Sequence, residues 1–485
     1  MRRLPWVLMA LMSLAVACGD DDGTTGTMDD MAMDMPSGDT GAVRVWHLAE
    51  GAGDVDVFVN GDAVETGFGF EANTAYIELP AGSYDVAVAA AGAGIEQAVI
   101  TVDGFALAAG ERWTLIAAQL DADPMADGAL TIVPVLEGTA PGADEVAFQV
   151  FHAAYDVPGA VDVHNASDPT LPEIVDDLAQ GTVDPTTLVI PNGAYALGLD
   201  ADDDGTIDLV TENPIDQPPG GTRVLAGAIS KSGEEPGEVE TEIVFLVGEG
   251  ADIHDETELE AAEFSAVRFW HLADEAGTVD IFVDGVSVAA GVEFELNTAF
   301  TPFLAGDYEI DISPAGMGPD MAAISATLSL GEGESYTIIA AQLGTDPAAF
   351  AALPILEELT PLTAGNVNLR VFHAAFGVPT AVDVHAIDGM TNPEVLMGLA
   401  QGTAAAAPLS IAREALTIGL DLEGDGTIDV QTEEPVGPFA ADFVTLGAIT
   451  KFVMEGGELE AETEIVFLPG DGAMIHDEVE LVAFE

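Results

Sequence analysis

Two acidic runs carry the residue types and spacing of a cation-binding loop. Asp200, Asp202, Asp204 and Asp208 stand at positions 1, 3, 5 and 9 of the first, with Gly205 at position 6 and Ile207 at position 8. Asp421, Glu423, Asp425 and Asp429 repeat that register, with Gly426 and Ile428. Alternating carboxylates and a backbone carbonyl supply hard oxygens of the kind Ca2+ takes, about six to eight at about 2.3–2.6 Å, and the glycine permits the sharp turn. Thr211 and Thr432 occupy position 12, where an EF-hand needs a bidentate Glu, and the flanks alternate like strands. A calcium ion would therefore sit in a hairpin loop, offsetting clustered negative charge. The same run also reads as a solvated Asp-Gly turn in an acidic chain, so both outcomes stay open. Ca2+ is the cofactor these loops suggest.

The eight histidines, His47, His152, His164, His254, His271, His373, His385 and His476, pair off between two halves of the chain. Four of them precede a Val-Asp-Val/Ile run: His47 with Asp56, His152 with Asp162, His271 with Asp280 and His373 with Asp383. Each is expected to hydrogen-bond that Asp and lock a strand corner. The competing chemistry is a transition-metal site, for which imidazole is a suitable ligand. It would use His152 with His164, His373 with His385, or the runs His254-Asp255-Glu256 and His476-Asp477-Glu478. Neither G-x-S-x-G, H-E-x-x-H nor G-x-x-x-x-G-K-[ST] occurs. With 86 acidic residues, chance carboxylate pairs carry no information. No catalytic residue is assigned, and the chain reads as non-enzymatic.

The elements that position these groups follow from composition and repetition. The 485 residues hold 10 Lys+Arg against 86 Asp+Glu, a formal charge of −76, with 48% hydrophobic residues and one Cys. That hydrophobic content supports packed cores. The charge excludes a nucleic-acid partner, which needs clustered cations on phosphates. A lone Cys excludes an internal disulfide and a Cys-based zinc site.

Arg2 and Arg3 precede an apolar run, Leu4 to Ala17, too short to span a bilayer, which takes about 20 residues. The run Leu14-Ala15-Val16-Ala17-Cys18 resembles a bacterial lipobox. That resemblance implies cleavage of residues 1–17 and a lipid on Cys18 that anchors the chain to a membrane without spanning it. The expected location is the bacterial cell envelope, facing the periplasm or the exterior. Residues 18–40, rich in Asp, Gly, Thr and Met, read as a flexible tether. Its Met28, Met31, Met33 and Met35 would suit Cu(I), although a solvated linker explains them as well.

Beyond the tether the chain repeats itself. Val43-Arg44-Val45-Trp46-His47-Leu48-Ala49 returns as Val267-Arg268-Phe269-Trp270-His271-Leu272-Ala273, and Phe151-His152-Ala153-Ala154 as Phe372-His373-Ala374-Ala375. Each half divides again, giving an A-B-A-B order with units at 41–143 (A1), 144–258 (B1), 259–363 (A2) and 364–485 (B2). Joints are expected near Gly138–Asp144 and Thr360–Gly365 between A and B, and at Glu256–Glu263 between the halves. Short period-2 runs such as Val55, Val57 and Val59, punctuated by Asn60-Gly61 and Asp284-Gly285, predict an all-β chain of four β-sandwich units.

The sequence V-R-V-W-H-x-A, then Val55-Asp-Val-Phe-Val-Asn-Gly61, Leu79-Pro-Ala-Gly-Ser-Tyr84 and Ala108–Ala117, resembles the DUF4397 domain, a bacterial extracytoplasmic domain of unknown function. A2 matches comparably, while B1 and B2 keep the His and Val-Asp-Val parts and diverge later. The resemblance implies tandem immunoglobulin-like sandwiches and brings no activity. Together these readings point to a monomeric, lipid-anchored structural, spacer or adhesive protein. Its protein or polysaccharide partner stays unnamed, and the alternative is a ligand-, polysaccharide- or metal-binding module. A spacer should show small polar joints between units, a binder concave aromatic-rich ones.

Overall fold

The computed structural model describes residues 40–157, 159–233, 238–345, 349–360, 362–387, 392–455 and 458–484. Cys18 and the Met-bearing tether lie outside the described residues. The fold is all-β and built as two repeated halves.

In A1 the strands are β1 (Thr40–Leu48), β2 (Val55–Val59), β3 (Asp62–Phe68), β4 (Ile77–Pro80), β5 (Gly82–Ala90), β6 (Ala98–Leu107), β7 (Arg112–Gln119) and β8 (Leu130–Leu136). They form two four-stranded sheets, β4-β1-β7-β8 and β3-β2-β5-β6, a sandwich compatible with the immunoglobulin-like description. The β1–β7 pair is parallel, with Ala42 to Leu48 in register with Arg112 to Ala118. Every residue of β1 after Thr40 is buried, so this sheet is covered on both faces. Side-chain alternation then gives each face its residues. Val43 and Val45 face the A1 core with Val55, Val57, Val86 and Leu115. Trp46 and Leu48 face the other way, with Ile116, Val133 and Val135.

That second face is shared with B1. Its strands are β9 (Glu145–Ala153), β10 (Ala160–Asn165), β11 (Glu173–Ala179), β12 (Thr182–Val183), β13 (Leu188–Pro191), β14 (Leu197–Asp200), β15 (Leu209–Thr211), β16 (Thr222–Ser232), β17 (Val239–Val247) and β18 (His254–Ala261). Phe151 of β9, Leu225 and Ile229 of β16, and Val244 and Leu246 of β17 join Trp46 and Leu48 in one buried cluster. Trp46 meets Phe151 edge to face, with ring centroids 5.6 Å apart. A Cβ at Gly227 would lie 2.5 Å from the Phe151 ring, so glycine is what lets that ring lie against β16. The second half repeats the seam with Trp270, Phe372, Ile449 and Val466.

Two features depart from the sequence expectation. B1 is not two separate sheets but one ten-stranded sheet, β11-β10-β14-β15-β18-β17-β16-β9-β12 with β13 also on β9, folded into a near-barrel. β18 makes the closure: its first part pairs with β17, as Leu246 with His254, and its last part with β15, as Leu209 with Ala261. For the same reason the acidic run Glu256–Glu263 is not a linker, and the division expected after residue 258 falls inside a strand. Thr257 is buried and Leu259 half-buried while Glu256, Glu258 and Glu260 are exposed or half-exposed on the opposite face, a strand alternation that high charge disguises. The A1–B1 joint does fall between β8 and β9, at residues 137–144.

The two A cores differ in volume. Val45, Val57, Leu79 and Val86 border a partly open cavity of about 60 Å³ in A1, with the exposed Val64 and Ile77 at its rim. Their counterparts Phe269, Ile281, Phe303 and Ile310 pack into a single continuous cluster in A2. At about 24 cal/mol per Å³ a void of that size corresponds to roughly 1.4 kcal/mol. Leu79→Phe is therefore expected to stabilise the chain by about 1 kcal/mol, and Phe303→Leu to destabilise it by a similar amount. Denaturant midpoints check both, and a loss of stability in Leu79→Phe would contradict the volume argument.

Candidate functional site

The four strand-end histidines do not meet their Val-Asp-Val/Ile partners. His47 donates from Nε2 to the Gly53 carbonyl at 2.8 Å, and His271 to that of Gly277 at 2.6 Å. In the B units His152 donates to Val157 at 3.0 Å and His373 to Pro379 at 3.1 Å. Each ring closes the loop that follows its own strand. Burial holds all four below the ordinary histidine pKa, against the opposing pull of those carbonyls, so the rings are neutral.

The aspartates sit on the far side of their strands, because the flanking valines of Val-Asp-Val take the core face. Asp56 accepts from the N–H groups of Gly67 (2.9 Å) and Gly92 (2.8 Å), and Asp280 from Gly291 and Gly316 (2.7 Å each). Asp162 accepts from Asp177 at 2.7 Å and Asp383 from Gly398 at 2.5 Å. These donors have positive φ, from 54° to 79°, and the carboxylate pins the bulge or turn they form. The expected corner lock is thus split between two groups, a histidine on one strand and an aspartate on the next, which in the A units belong to different sheets. His164 and His385 likewise hold their own loops, through Leu171 at 3.0 Å and Asn392 at 3.1 Å.

The acidic loops are internally braced. Asp200 is fully buried and accepts from the N–H groups of Asp202 (3.2 Å), Asp203 (2.9 Å) and Gly205 (2.7 Å). Burial pushes its pKa up, but these amides outweigh burial and leave it below the usual carboxylate value. Asp204 turns to cap Thr206 N–H at 2.9 Å. Oxygens of Asp200, Asp202 and Asp208 lie within 4.8 Å of one another, and Asp202 is raised by repulsion from Asp204, aided by Asp208 and Asp200. Asp421 repeats the brace with Glu423 (3.1 Å), Gly424 (2.7 Å) and Gly426 (2.6 Å), while Asp429 accepts from Leu422 at 2.7 Å and Asp425 from Thr427 at 2.8 Å. The three oxygens of the first loop fit the beginning of a Ca2+ shell, and the brace holds the loop shape by itself.

A cluster that the sequence reading missed lies at the edge of each A–B seam. In the first half Lys231 bridges the buried Glu242 and the half-exposed Glu256, with Glu71 of A1 alongside. In the second, Lys451 reaches Glu464 (2.7 Å), Glu478 (3.0 Å) and Glu295 (3.5 Å). His254 and His476 border the clusters, 3.4 Å and 3.7 Å from Glu256 and Glu478. Each triad, Glu71–His254–Glu256 and Glu295–His476–Glu478, brings its ligand atoms within 4.8 Å, the geometry of a metal site. In the second half Trp270 Nε1 and both ring nitrogens of His476 have no hydrogen-bond partner, but in the first half the indole of Trp46 argues against that use: it donates from Nε1 to Nδ1 of His254 at 3.2 Å. A neutral ring accepting at Nδ1 carries its proton on Nε2, and so offers Glu256 an N–H and a metal no lone pair. The signal available in the sequence was scarcity: among ten basic residues, Arg44/Arg268 and Lys231/Lys451 recur at equivalent places.

Three carboxylates share one ammonium in each cluster. Burial, together with the charges of Glu256 and Glu71, pushes Glu242 up to about 7 against the pull of Lys231. Burial with Glu478 and Glu295 pushes Glu464 up to about 8 against Lys451. A carboxyl with a raised folded pKa stabilises fully below its unfolded value near 4.5, and that contribution is lost as pH rises through about 7 to 8. The buried neutral histidines act in the opposite sense, with stability lost as pH falls below 6.5. The double variant Glu242→Gln, Glu464→Gln is expected to remove the alkaline limb and keep the acid one. Unfolding temperatures from pH 5 to about 9 decide this, and an unchanged alkaline slope would refute it.

The same seam holds a buried ion pair. Arg44 donates to Glu137 (2.9 Å), to Thr114 Oγ1 (2.7 Å) and to the Gly248 carbonyl of B1 (2.8 Å). Arg268 repeats this with Glu357 (3.4 Å), Thr337 (2.8 Å) and Gly470 (2.6 Å). Of the eight basic residues among the described residues, seven pair with carboxylates and Arg370 donates to the Ala405 carbonyl.

Comparison with known proteins adds a family. The model of DUF4397, a domain of unknown function, matches residues 41–164 and 265–385. Each match covers an A unit and runs on through the first two strands of the following B unit. No curated protein matches the chain. Among solved structures the chain is similar to the Bacillus anthracis TIE protein, at 13% identity over 62% of this chain and 50% of that one, with a TM-score of 0.12. The chain thus spans half the length of that structure, and a likeness at this level carries no argument.

Proposed function

The chain belongs to the DUF4397 family, and from that premise we propose a non-enzymatic envelope protein, anchored by a lipid on Cys18, whose body serves as a stiff acidic spacer or adhesive surface. The observation that carries this reading is the shared core of each half. Trp46 with Phe151, and Trp270 with Phe372, bury the face of A against B, so a half moves as one body and not as two hinged beads. The small polar joint expected of a spacer is not what joins A to B within a half, and between the halves the chain link is short, with Ala262–Glu263 separating β18 from the first strand of A2, Phe264–Leu272. The pairing of the described cations with carboxylates leaves an anionic exterior, which favours solubility and repels unspecific contact.

One feature favours the alternative, a ligand-binding module. A cleft of about 320 Å³ between B1 and A2 is lined by His164, Leu171, Ile207, Phe264, Phe269 and Phe303. Phe269 and Phe303 are already buried in the A2 core and His164 is buried on its Leu171 hydrogen bond, so the half-buried Phe264 is the aromatic side chain it offers, beside the exposed Thr170, Thr206 and Thr301. A glycan or small ligand whose binding disappears in Phe264→Ala, with the unfolding temperature unchanged, would move the assignment to this second reading.

Two measurements test the primary reading. Cys18→Ala is expected to shift the chain from the membrane fraction to the soluble fraction, and membrane retention would remove the anchor. For calcium, unfolding of the full chain in chelator and in millimolar CaCl2 at constant ionic strength should show a calcium-specific rise. A ligand at 100 times its dissociation constant adds about 2.7 kcal/mol per site. Asp202→Asn and Glu423→Gln are the informative variants, because Asp200 and Asp421 brace the loops without any ion. They should abolish the calcium increment and leave stability in chelator equal or higher. An equal rise with MgCl2 would reduce both loops to acidic turns.

A further inference from the structure

The methionines are placed against the usual rule. Flexible and apolar, methionine ordinarily fills cores. Among the described residues the chain has six: Met125, Met317, Met321, Met397, Met454 and Met474. All six are exposed, from 50% to 88%, and none belongs to a buried cluster, all of which are built from Val, Ile, Leu, Ala, Phe, Trp and Tyr.

The duplication shows what these positions demand. Met397 occupies the place of Asp176, one residue beyond the paired positions Val175 and Leu396. Met474 occupies that of Asp252: both have φ of 52°, and both donate a backbone N–H to the equivalent carbonyl, of Asn297 and Asn73. Met317 and Met321 stand where the first half has Ala93 and Gln97, with the same turn hydrogen bonds. Wherever the equivalent is clear, the fold accepts a polar or small side chain at the methionine's position. Apolar packing is not the reason for methionine there.

We propose that these exposed thioethers are sites of sulfoxidation, so that the protein is a sink for two-electron oxidants of the peroxide class whose loading leaves its fold intact. The sulfur lone pair attacks one oxygen of the peroxide and the O–O bond breaks. Sulfur is oxidised by two electrons to the sulfoxide, and the departing oxygen takes up the remaining proton and leaves as water. A sulfoxide reductase, supplying two electrons and two protons, returns the thioether. Sulfoxide formation normally damages proteins by placing a polar group in a core. Here Asp and Gln at equivalent positions show that polarity is accommodated.

The experiment uses the full chain with hydrogen peroxide as the oxidant and N-acetylmethionine amide as the reference. Peptide mass spectrometry is expected to find all six sites converted, at rates within about tenfold of the reference. The fully oxidised chain should keep its unfolding temperature to within about 3 °C. A variant with all six changed to Leu should fold equally well and consume six fewer equivalents of peroxide. Slower conversion at two or more sites, a larger fall in unfolding temperature on oxidation, or unchanged consumption by the Leu variant would each overturn the proposal.

Discussion

Everything in each half depends on one sheet being buried on both sides. β1 and β7 lie in the interior of that sheet, and the alternation of β1 sorts its residues without ambiguity. Val43 and Val45 enter the A1 core; Arg44, Trp46 and Leu48 enter the seam with B1. A charged group survives there because Glu137, Thr114 and the Gly248 carbonyl satisfy it, and a buried arginine lacking such partners would be prohibitively unstable. The same geometry fixes Glu71 against the edge of B1, where Lys231 and Glu242 complete a polar rim around an apolar centre. The family match runs across this seam, from β1 into β10, in agreement with the seam belonging to the basic unit.

Much of this was legible in the sequence. Duplication, an all-β class, the A–B order and the Asp-Gly loops all follow from local patterns of two to ten residues, which is the range over which alternation and turn chemistry act. What escaped is non-local. Trp46 and His254 are 208 residues apart, and Arg44 and Gly248 are 204 apart. No spacing rule joins them. The His–Asp pairing failed for a reason already present in the pattern: an Asp between two core valines must point away from the core, whereas His47 shares the parity of Val43 and Val45. β18 was mistaken for a linker because Glu-rich composition outweighed its alternation.

The strong negative charge is arranged and not merely accumulated. Where acidic groups cluster at the seam, a lysine is present in both halves. Where they cluster in the loops, backbone N–H groups take that role, with Asp200 and Asp421 each accepting three or more of them. Carboxylates held by main-chain amides keep their charge without a counter-cation. That device explains how a chain with so few basic residues maintains defined loops at all.

The parallel pairing of β1 with β7 has a mechanical consequence. β1 is the first described strand, so tension arriving from the preceding segment pulls along its length. Because its neighbours β4 and β7 hold it from both sides, the strand cannot peel away one bond at a time. Seven successive registers with β7, from Ala42 to Leu48, are loaded in shear together, and extraction would also draw Trp46 out of the seam. Under the proposed anchor at Cys18, the described strand nearest that attachment is thus the one best placed to resist drag.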